Sequence, residues 1–363
     1  MKTQSNPPIS ADNQTTHGKI TIAGLDIFYR EAGPKNAPTI VLLHGFPSSS
    51  HMFRDLIAEL QNDFHLIAPD YPGFGYSDSP GVGAFDYTFD NLADIVGKFL
   101  AAKNINRYWL FMQDYGGPVG FRLAAAHPER VAGLLVQNAN AYLDGVSEML
   151  ASAAMPFWQS RNAGTEAPLR GLVALDGVKM QYLTGVKDPA RVSPDAWTHD
   201  LISLGRPGNV EVQLALLFNY QNNVPKFAEW QAYFRQHQPP TLITWGKGDP
   251  FFTEAGARAY LLKDSLHKEL LATIRAVQAG KKSISPEVSF QLAEHATDDA
   301  LTPAEVRVLR LIAEGNANKE ISAQLSTSED TVKGQVRNIL SKLGAKDRTH
   351  AAMIGLKRGI IEF

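Results

Sequence analysis

The chain has 363 residues, 44% hydrophobic and 20% charged, the balance of ordinary globular domains and long enough for one large domain and one small. No apolar run approaches the roughly 20 residues needed to span a bilayer, and zero cysteines exclude a disulfide framework and thiol chemistry. The net charge of −2 hides an asymmetry: residues 301–363 carry ten Lys/Arg against seven Asp/Glu, a tilt toward a nucleic-acid partner at that end.

Residues 1–16 form a polar tail without the apolar stretch of a signal peptide. With no cysteine in the chain, the expectation is a cytoplasmic protein with no membrane partner. Lys19–Ile22 and Asp26–Arg30 predict a hairpin around Ala23-Gly24, and Thr39–Leu43 a buried parallel strand ending in His44-Gly45-Phe46-Pro47. An amphipathic helix over His51–Leu60 precedes strand Phe64–Pro69, whose loop runs D-Y-P-G-F-G-Y-S-D from Asp70 to Asp78. Thr88–Lys103 predicts a helix, then strand Tyr108–Met112 leads into Gln113-Asp114-Tyr115-Gly116-Gly117 and a helix from Val119 to Ala126.

That strand, sharp turn and helix carry one reactive side chain, Asp114, at the apex. An aspartate before a helix is commonly a plain N-cap. Here the paired glycines point instead to a turn where helix and strand pass closely, with the helix dipole favouring the ionised carboxylate. Met112 stands where such a turn usually has a small residue. Val131–Gln137 is another buried strand, and the alternation so far indicates an α/β fold with a doubly wound, mostly parallel sheet. From about 142 to 237 the pattern turns helical and rich in Trp, Tyr, Phe and Met, a helical cap over the carboxyl ends of the strands. Pro240–Trp245 is again a strand, followed by G-K-G-D-P with Asp249, and helix Thr253–Lys263.

The motifs V-L-L-H-G-F-P, A-P-D-Y-P-G-F-G-Y-S-D, Q-D-Y-G-G-P-V-G-F-R-L and T-W-G-K-G-D-P-F-F stand in family order over residues 17–263. This part resembles an α/β-hydrolase of the epoxide hydrolase and haloalkane dehalogenase type. The resemblance implies that Asp114 is the nucleophile, that Asp249 orients a histidine, and that the backbone N–H groups of Phe46 and Tyr115 form an oxyanion hole. Dehalogenases usually have Asn and Trp at those two positions, so Phe46 and Tyr115 speak against a halide site. The H-G-F-P motif agrees with epoxide hydrolases, whose cap tyrosines protonate the epoxide oxygen; Tyr182, Tyr220 and Tyr233 are the candidates. A small apolar molecule is the expected ligand of the cap cleft, with no metal and no cofactor.

The family's final strand and Gly-His turn are not evident. After Asp249 the only histidines are His267, His295 and His350; His267 is the candidate base, although it falls in a helical stretch with polar neighbours. The base matters because an aspartyl ester breaks down only when something activates water. His44 belongs to the H-G-x-P loop and reads as structural.

Glu269–Ala279 predicts an amphipathic helix ended by Gly280, and residues 264–297 read as a linker helix region similar to the linker of NarL/FixJ-type response regulators. Residues 298–363 form a separate small domain. Thr302 and Glu305 make a capping box, with Val306, Leu309, Leu311 and Ile312 as the apolar stripe and Gly315 as the stop. Asn318–Leu325 is a short helix, Ser326–Ser328 a turn, and Val332, Val336, Ile339, Leu340 and Leu343 a core stripe on the next helix. This part resembles a LuxR-type helix-turn-helix. Lys333, Gly334 and Arg337 then occupy the face that enters a major groove of double-stranded DNA, and Lys319, Thr331 and Lys342 are placed for phosphates. Helix Arg348–Lys357 closes the domain and is where a homodimer would pair.

The complete helix-turn-helix against the incomplete triad favours a DNA-binding transcriptional regulator, its hydrolase-like module binding or reacting once with a small apolar ligand. The alternative is a hydrolase of epoxides or haloalkanes with an accessory DNA-binding domain.

Overall fold

A computed structural model describes residues 14–142, 145–253, 256, 301–325, 327–343, 345–357 and 361. The hairpin forms as its sequence predicts. β1 (Thr16–Ile22) pairs antiparallel with β2 (Leu25–Ala32), and Ala23 and Gly24 turn the chain with positive φ. β3 (Thr39–Leu43), β4 (His65–Pro69), β5 (Tyr108–Gln113), β6 (Val131–Gln137) and β7 (Thr241–Thr244) complete a seven-stranded sheet. Its order is β1-β2-β4-β3-β5-β6-β7, antiparallel at β1-β2-β4 and parallel from β4 to β7.

Near-continuous apolar runs make strands that bury both faces. Along β3, Val41 and Leu43 join one core with α2 (Phe89–Ala102) and α3 (Gly116–Ala126). Ile40 and Leu42 join the opposite core with α1 (Arg54–Leu60). The predicted helix 51–60 divides into a 3-10 turn at Ser50–Phe53 and then α1. Thr88 caps α2, its hydroxyl accepting from the Asn91 N–H.

Between β6 and β7 lies the cap: α4 (Glu148–Gln159), α5 (Ala163–Leu172), α6 (Leu175–Leu183), α7 (Pro194–Leu204), α8 (Asn209–Asn219), a 3-10 segment (Tyr220–Lys226) and α9 (Phe227–His237). Most of the predicted helix over 253–263, from residue 257 on, the linker helix and His267 lie outside the described residues.

The chain divides into two compact units, residues 1–283 and 284–363. The second holds α10 (Pro303–Ala313), α11 (Asn318–Gln324), α12 (Glu329–Leu343) and α13 (Arg348–Lys357). The capping box closes as predicted, with Thr302 N–H on Glu305 Oε2 at 2.7 Å and Glu305 N–H on Thr302 Oγ1 at 3.3 Å. The core of this unit is Val308, Leu309, Ile312, Ile321, Val332, Ile339, Leu343 and Ala351. Val308 is central there, while Val306 and Leu311 are only partly buried, a rotation of the α10 stripe from the one the sequence suggests.

Candidate active site and candidate DNA-binding face

Strands β3, β5, β6 and β7 end side by side, so the loops following them meet over the carboxyl edge of the sheet. The β5–α3 turn is tight for a steric reason. A Cβ on Gly116 would lie 2.1 Å from the Leu43 carbonyl oxygen, and one on Gly117 would lie 2.7 Å from Ala139 Cβ. The two glycines thus clear the neighbours on either side of β5. Met112 is accommodated because it fills the space a side chain on Gly120 would need: its Sδ lies 2.3 Å from that Cβ position. At the apex Asp114 has φ +50°, a conformation that aspartate tolerates better than most residues.

Asp114 Oδ1 accepts the Phe46 N–H at 2.7 Å, and the Tyr115 N–H also bonds the carboxyl. The two donors expected to form an oxyanion hole therefore converge on the expected nucleophile. Burial nevertheless raises the Asp114 pKa to about 7, offset by those two N–H bonds and reinforced by the charge of Asp249. Desolvation thus outweighs the helix start, which by itself favours the ionised carboxylate.

Asp249 is fixed on both oxygens. Oδ1 accepts the N–H groups of Phe251 at 2.8 Å and Phe252 at 3.0 Å, and Oδ2 accepts the Asn138 side-chain amide. Asn138, at the end of β6, also accepts the Gly246 N–H at 3.1 Å and so spans the β6 and β7 loops. The sequence reasoning missed Asn138, although its place after an apolar strand run on the active edge was a usable signal.

A cavity of about 300 Å³ sits above these groups. Asp114, Asp249, Phe46, Tyr115, Gln113, Gln137 and Asn138 floor it, and Leu150, Ala154, Trp158, Leu169, Leu172, Tyr182 and Tyr220 line it from the cap. Of the three tyrosines proposed as acids, Tyr182 and Tyr220 reach the cavity. Tyr233 does not: it packs on α9 against Phe234 and His237, so that candidate is withdrawn. No histidine lines the cavity among the described residues. His44 is fully buried, and its Nε2 accepts the Tyr71 N–H at 3.2 Å, which leaves Nδ1 to donate to the Gly45 carbonyl. It braces the loop, as its motif suggested. Two donors that could hold a halide are already used: the Trp158 indole N–H bonds the Leu217 carbonyl, and the Gln181 amide bonds those of Leu172 and Gly177.

In the second unit Lys319, Thr331, Lys333 and Arg337 are exposed. Ser328 caps α12, its Oγ accepting the Thr331 N–H at 3.1 Å. Lys333 Nζ lies 3.2 Å from Asp330 and 3.6 Å from Glu329, so α12's first-turn acids hold it. Gly334 presents open space on its helix face, with nothing within 4 Å of an added Cβ. Lys342 differs from the expectation. Its Nζ is 2.8 Å from Glu305 Oε2, and Glu305 is buried, so this lysine ties the end of α12 to the start of α10. An internal ion pair replaces the phosphate contact assigned to it.

Residues 38–273 match the family model described as alpha/beta hydrolase fold, and residues 299–354 that of bacterial regulatory proteins, luxR family. An uncharacterized hydrolase of Saccharomyces cerevisiae is 40% identical over 240 residues, covering 65% of this chain and 82% of that protein. Haloalkane dehalogenase 2 of Mycobacterium bovis is 38% identical over 112 residues, covering 31% of this chain and 38% of the dehalogenase. The crystal structure of haloalkane dehalogenase DbeA from Bradyrhizobium elkani superposes with a TM-score of 0.54 at 20% identity, over 64% of this chain and 81% of that one, a likeness of fold. The helical unit at residues 299–354 is a LuxR-type helix-turn-helix DNA-binding domain.

Proposed function

We propose, from the premise that this chain belongs to the alpha/beta hydrolase fold family, that it is a DNA-binding transcriptional regulator whose hydrolase unit takes up a small apolar electrophile on Asp114. One observation carries the reading. Asp114 is aimed into an apolar cavity by two backbone N–H groups, while no imidazole lines that cavity among the described residues.

The chemistry divides accordingly. The ionised Asp114 oxygen attacks an electrophilic carbon, and the bond to the leaving group breaks. The resulting ester leaves only when attacking water loses a proton, and a positioned base contributes about 10²–10⁴-fold to such a step. Without that base the first step outruns the second, and the unit stays modified or occupied. Asp249, held by Asn138 and two N–H groups, is built to orient a partner. His267 is the residue to test for that role, and it fits the second reading, a turning-over hydrolase. As a regulator the protein works in the cytoplasm as a homodimer on double-stranded DNA, pairing through α13.

Intact mass spectrometry after incubation with styrene oxide or phenethyl bromide tests this, with Asp114→Asn as control. One adduct per chain, absent from Asp114→Asn and slow to disappear, is the expected result. Rapid multiple turnover that His267→Ala abolishes would replace it with the hydrolase reading. No adduct and no turnover would leave a non-covalent binding module.

A further inference from the structure

The two cap tyrosines that reach the cavity have different surroundings. Tyr220 stacks on Trp158 with ring centroids 6.3 Å apart and meets Phe89 and Tyr115 at 5.6 and 6.0 Å. Its hydroxyl has no hydrogen-bond partner among the described residues, and burial together with the Asp114 charge raises its pKa. It therefore shares the cavity with the Asp114 carboxyl while its proton is uncommitted.

Tyr182 is committed. Its hydroxyl donates to Asp200 Oδ2 at 2.6 Å, and Ser48 hydrogen-bonds its oxygen. Asp200 is 1% exposed and Ser48 7%. Proton loss from Tyr182 would place a phenolate against a buried carboxylate, two like charges at hydrogen-bond distance. Burial and Asp200 accordingly push the Tyr182 pKa far up. Ser48 in turn closes a tight turn, its N–H on the Gly45 carbonyl at 3.0 Å, and that turn carries the Phe46 N–H bound to Asp114. A buried acid needs a structural reason, all the more when its second oxygen, Oδ1, has no hydrogen bond among the described residues. The link from α7 through α6 to the oxyanion turn supplies one.

We propose that Asp200 is a positioning residue: it withdraws Tyr182 from proton transfer, uses it through Ser48 to steady the turn bearing the Phe46 N–H, and leaves proton delivery to Tyr220. This rests on the reading of Asp114 as a nucleophile. When an epoxide opens, Asp114 forms the new C–O bond, the ring C–O bond breaks with its electron pair on oxygen, and that oxygen takes the Tyr220 proton. Water reprotonates the phenolate. A bromide leaving group needs no proton, so the ratio of epoxide to bromide labelling reports the acid alone.

Labelling rates of the full chain with styrene oxide and phenethyl bromide are compared for wild type, Tyr220→Phe, Tyr182→Phe and Asp200→Asn. The epoxide-to-bromide ratio falls in Tyr220→Phe by about 10²-fold or more, the scale of a lost general acid. In Tyr182→Phe and Asp200→Asn both rates fall together, and the ratio stays within about threefold of wild type. A ratio that falls in Tyr182→Phe as it does in Tyr220→Phe overturns the proposal. So do unchanged rates with both electrophiles in Asp200→Asn. If neither electrophile labels wild type, the reading of Asp114 fails, and thermal unfolding of Tyr182→Phe, Asp200→Asn and the double variant decides the rest. Non-additive Tm shifts support the Asp200–Tyr182 link, and fully additive ones overturn it.

Discussion

Replacing Asp114 by Asn should stabilise the hydrolase unit, and by an amount that grows with pH. Asn keeps an acceptor oxygen, with two lone pairs, for the Phe46 and Tyr115 N–H groups and tolerates the +50° φ that Asp114 adopts, so the backbone does not oppose the change. What it removes is a carboxyl whose pKa burial raises from the usual 3.8 to about 7. The folded value lies above the unfolded one, so ionisation penalises the folded chain. The penalty is absent below about pH 3.8, grows as pH rises, and levels off above about 7. At 1.36 kcal/mol per tenfold change in binding, the full gap amounts to about 4 kcal/mol above neutrality and about 2 kcal/mol near pH 5.5. All five tryptophans lie between residues 109 and 245, so their fluorescence during urea unfolding follows the hydrolase unit alone. The expected result is an Asp114→Asn advantage roughly twice as large at about pH 8.5 as at about pH 5.5. An advantage independent of pH, or a loss of stability at the higher pH, would refute the electrostatic account of this carboxyl.

Two further outcomes concern the DNA-binding unit. Lys342→Ala should cost about 1–3 kcal/mol, because it strips a partner from the buried Glu305. Faster hydrogen exchange at the start of α10 is expected with an unchanged salt slope of DNA binding, whereas a slope reduced by about 0.9 with no loss of protection would return Lys342 to the phosphate contacts. Lys333→Ala and Arg337→Ala should each weaken binding to a selected duplex by about 1–3 kcal/mol at one base position, while Lys319→Ala weakens all sequences alike. Salt-independent binding, equal for all variants, or a monomer covering a single half-site, would contradict the groove face and the homodimer respectively.

How much of this was legible in the sequence depended on whether the signal was local. Strand-turn-helix at Asp114, the hairpin at Ala23-Gly24 and the Thr302–Glu305 box each follow from spacings of a few residues, and each forms as its residues dictate. The cap was visible as a helical insertion, but which of its tyrosines reach the cavity was not. Tyr182, Tyr220 and Tyr233 are alike in sequence, and only the packing of α6, the 3-10 segment Tyr220–Lys226 and α9 separates them. Lys342 failed for a related reason: its partner Glu305 stands 37 residues earlier, where the sequence shows only a capping acid. The Asp114 pKa is the most instructive case. Helix dipole and backbone N–H groups, both readable from the turn motif, favour its ionised form, and both are present. The desolvation that overrides them comes from burial, and Trp158 and Tyr220, cap residues that help enclose the cavity over Asp114, stand far beyond the turn motif in sequence. Chemistry at this site is therefore written in the turn and tuned by the cap, so substitutions at Trp158 on α4 or at Tyr220 should change when Asp114 reacts more than where it points.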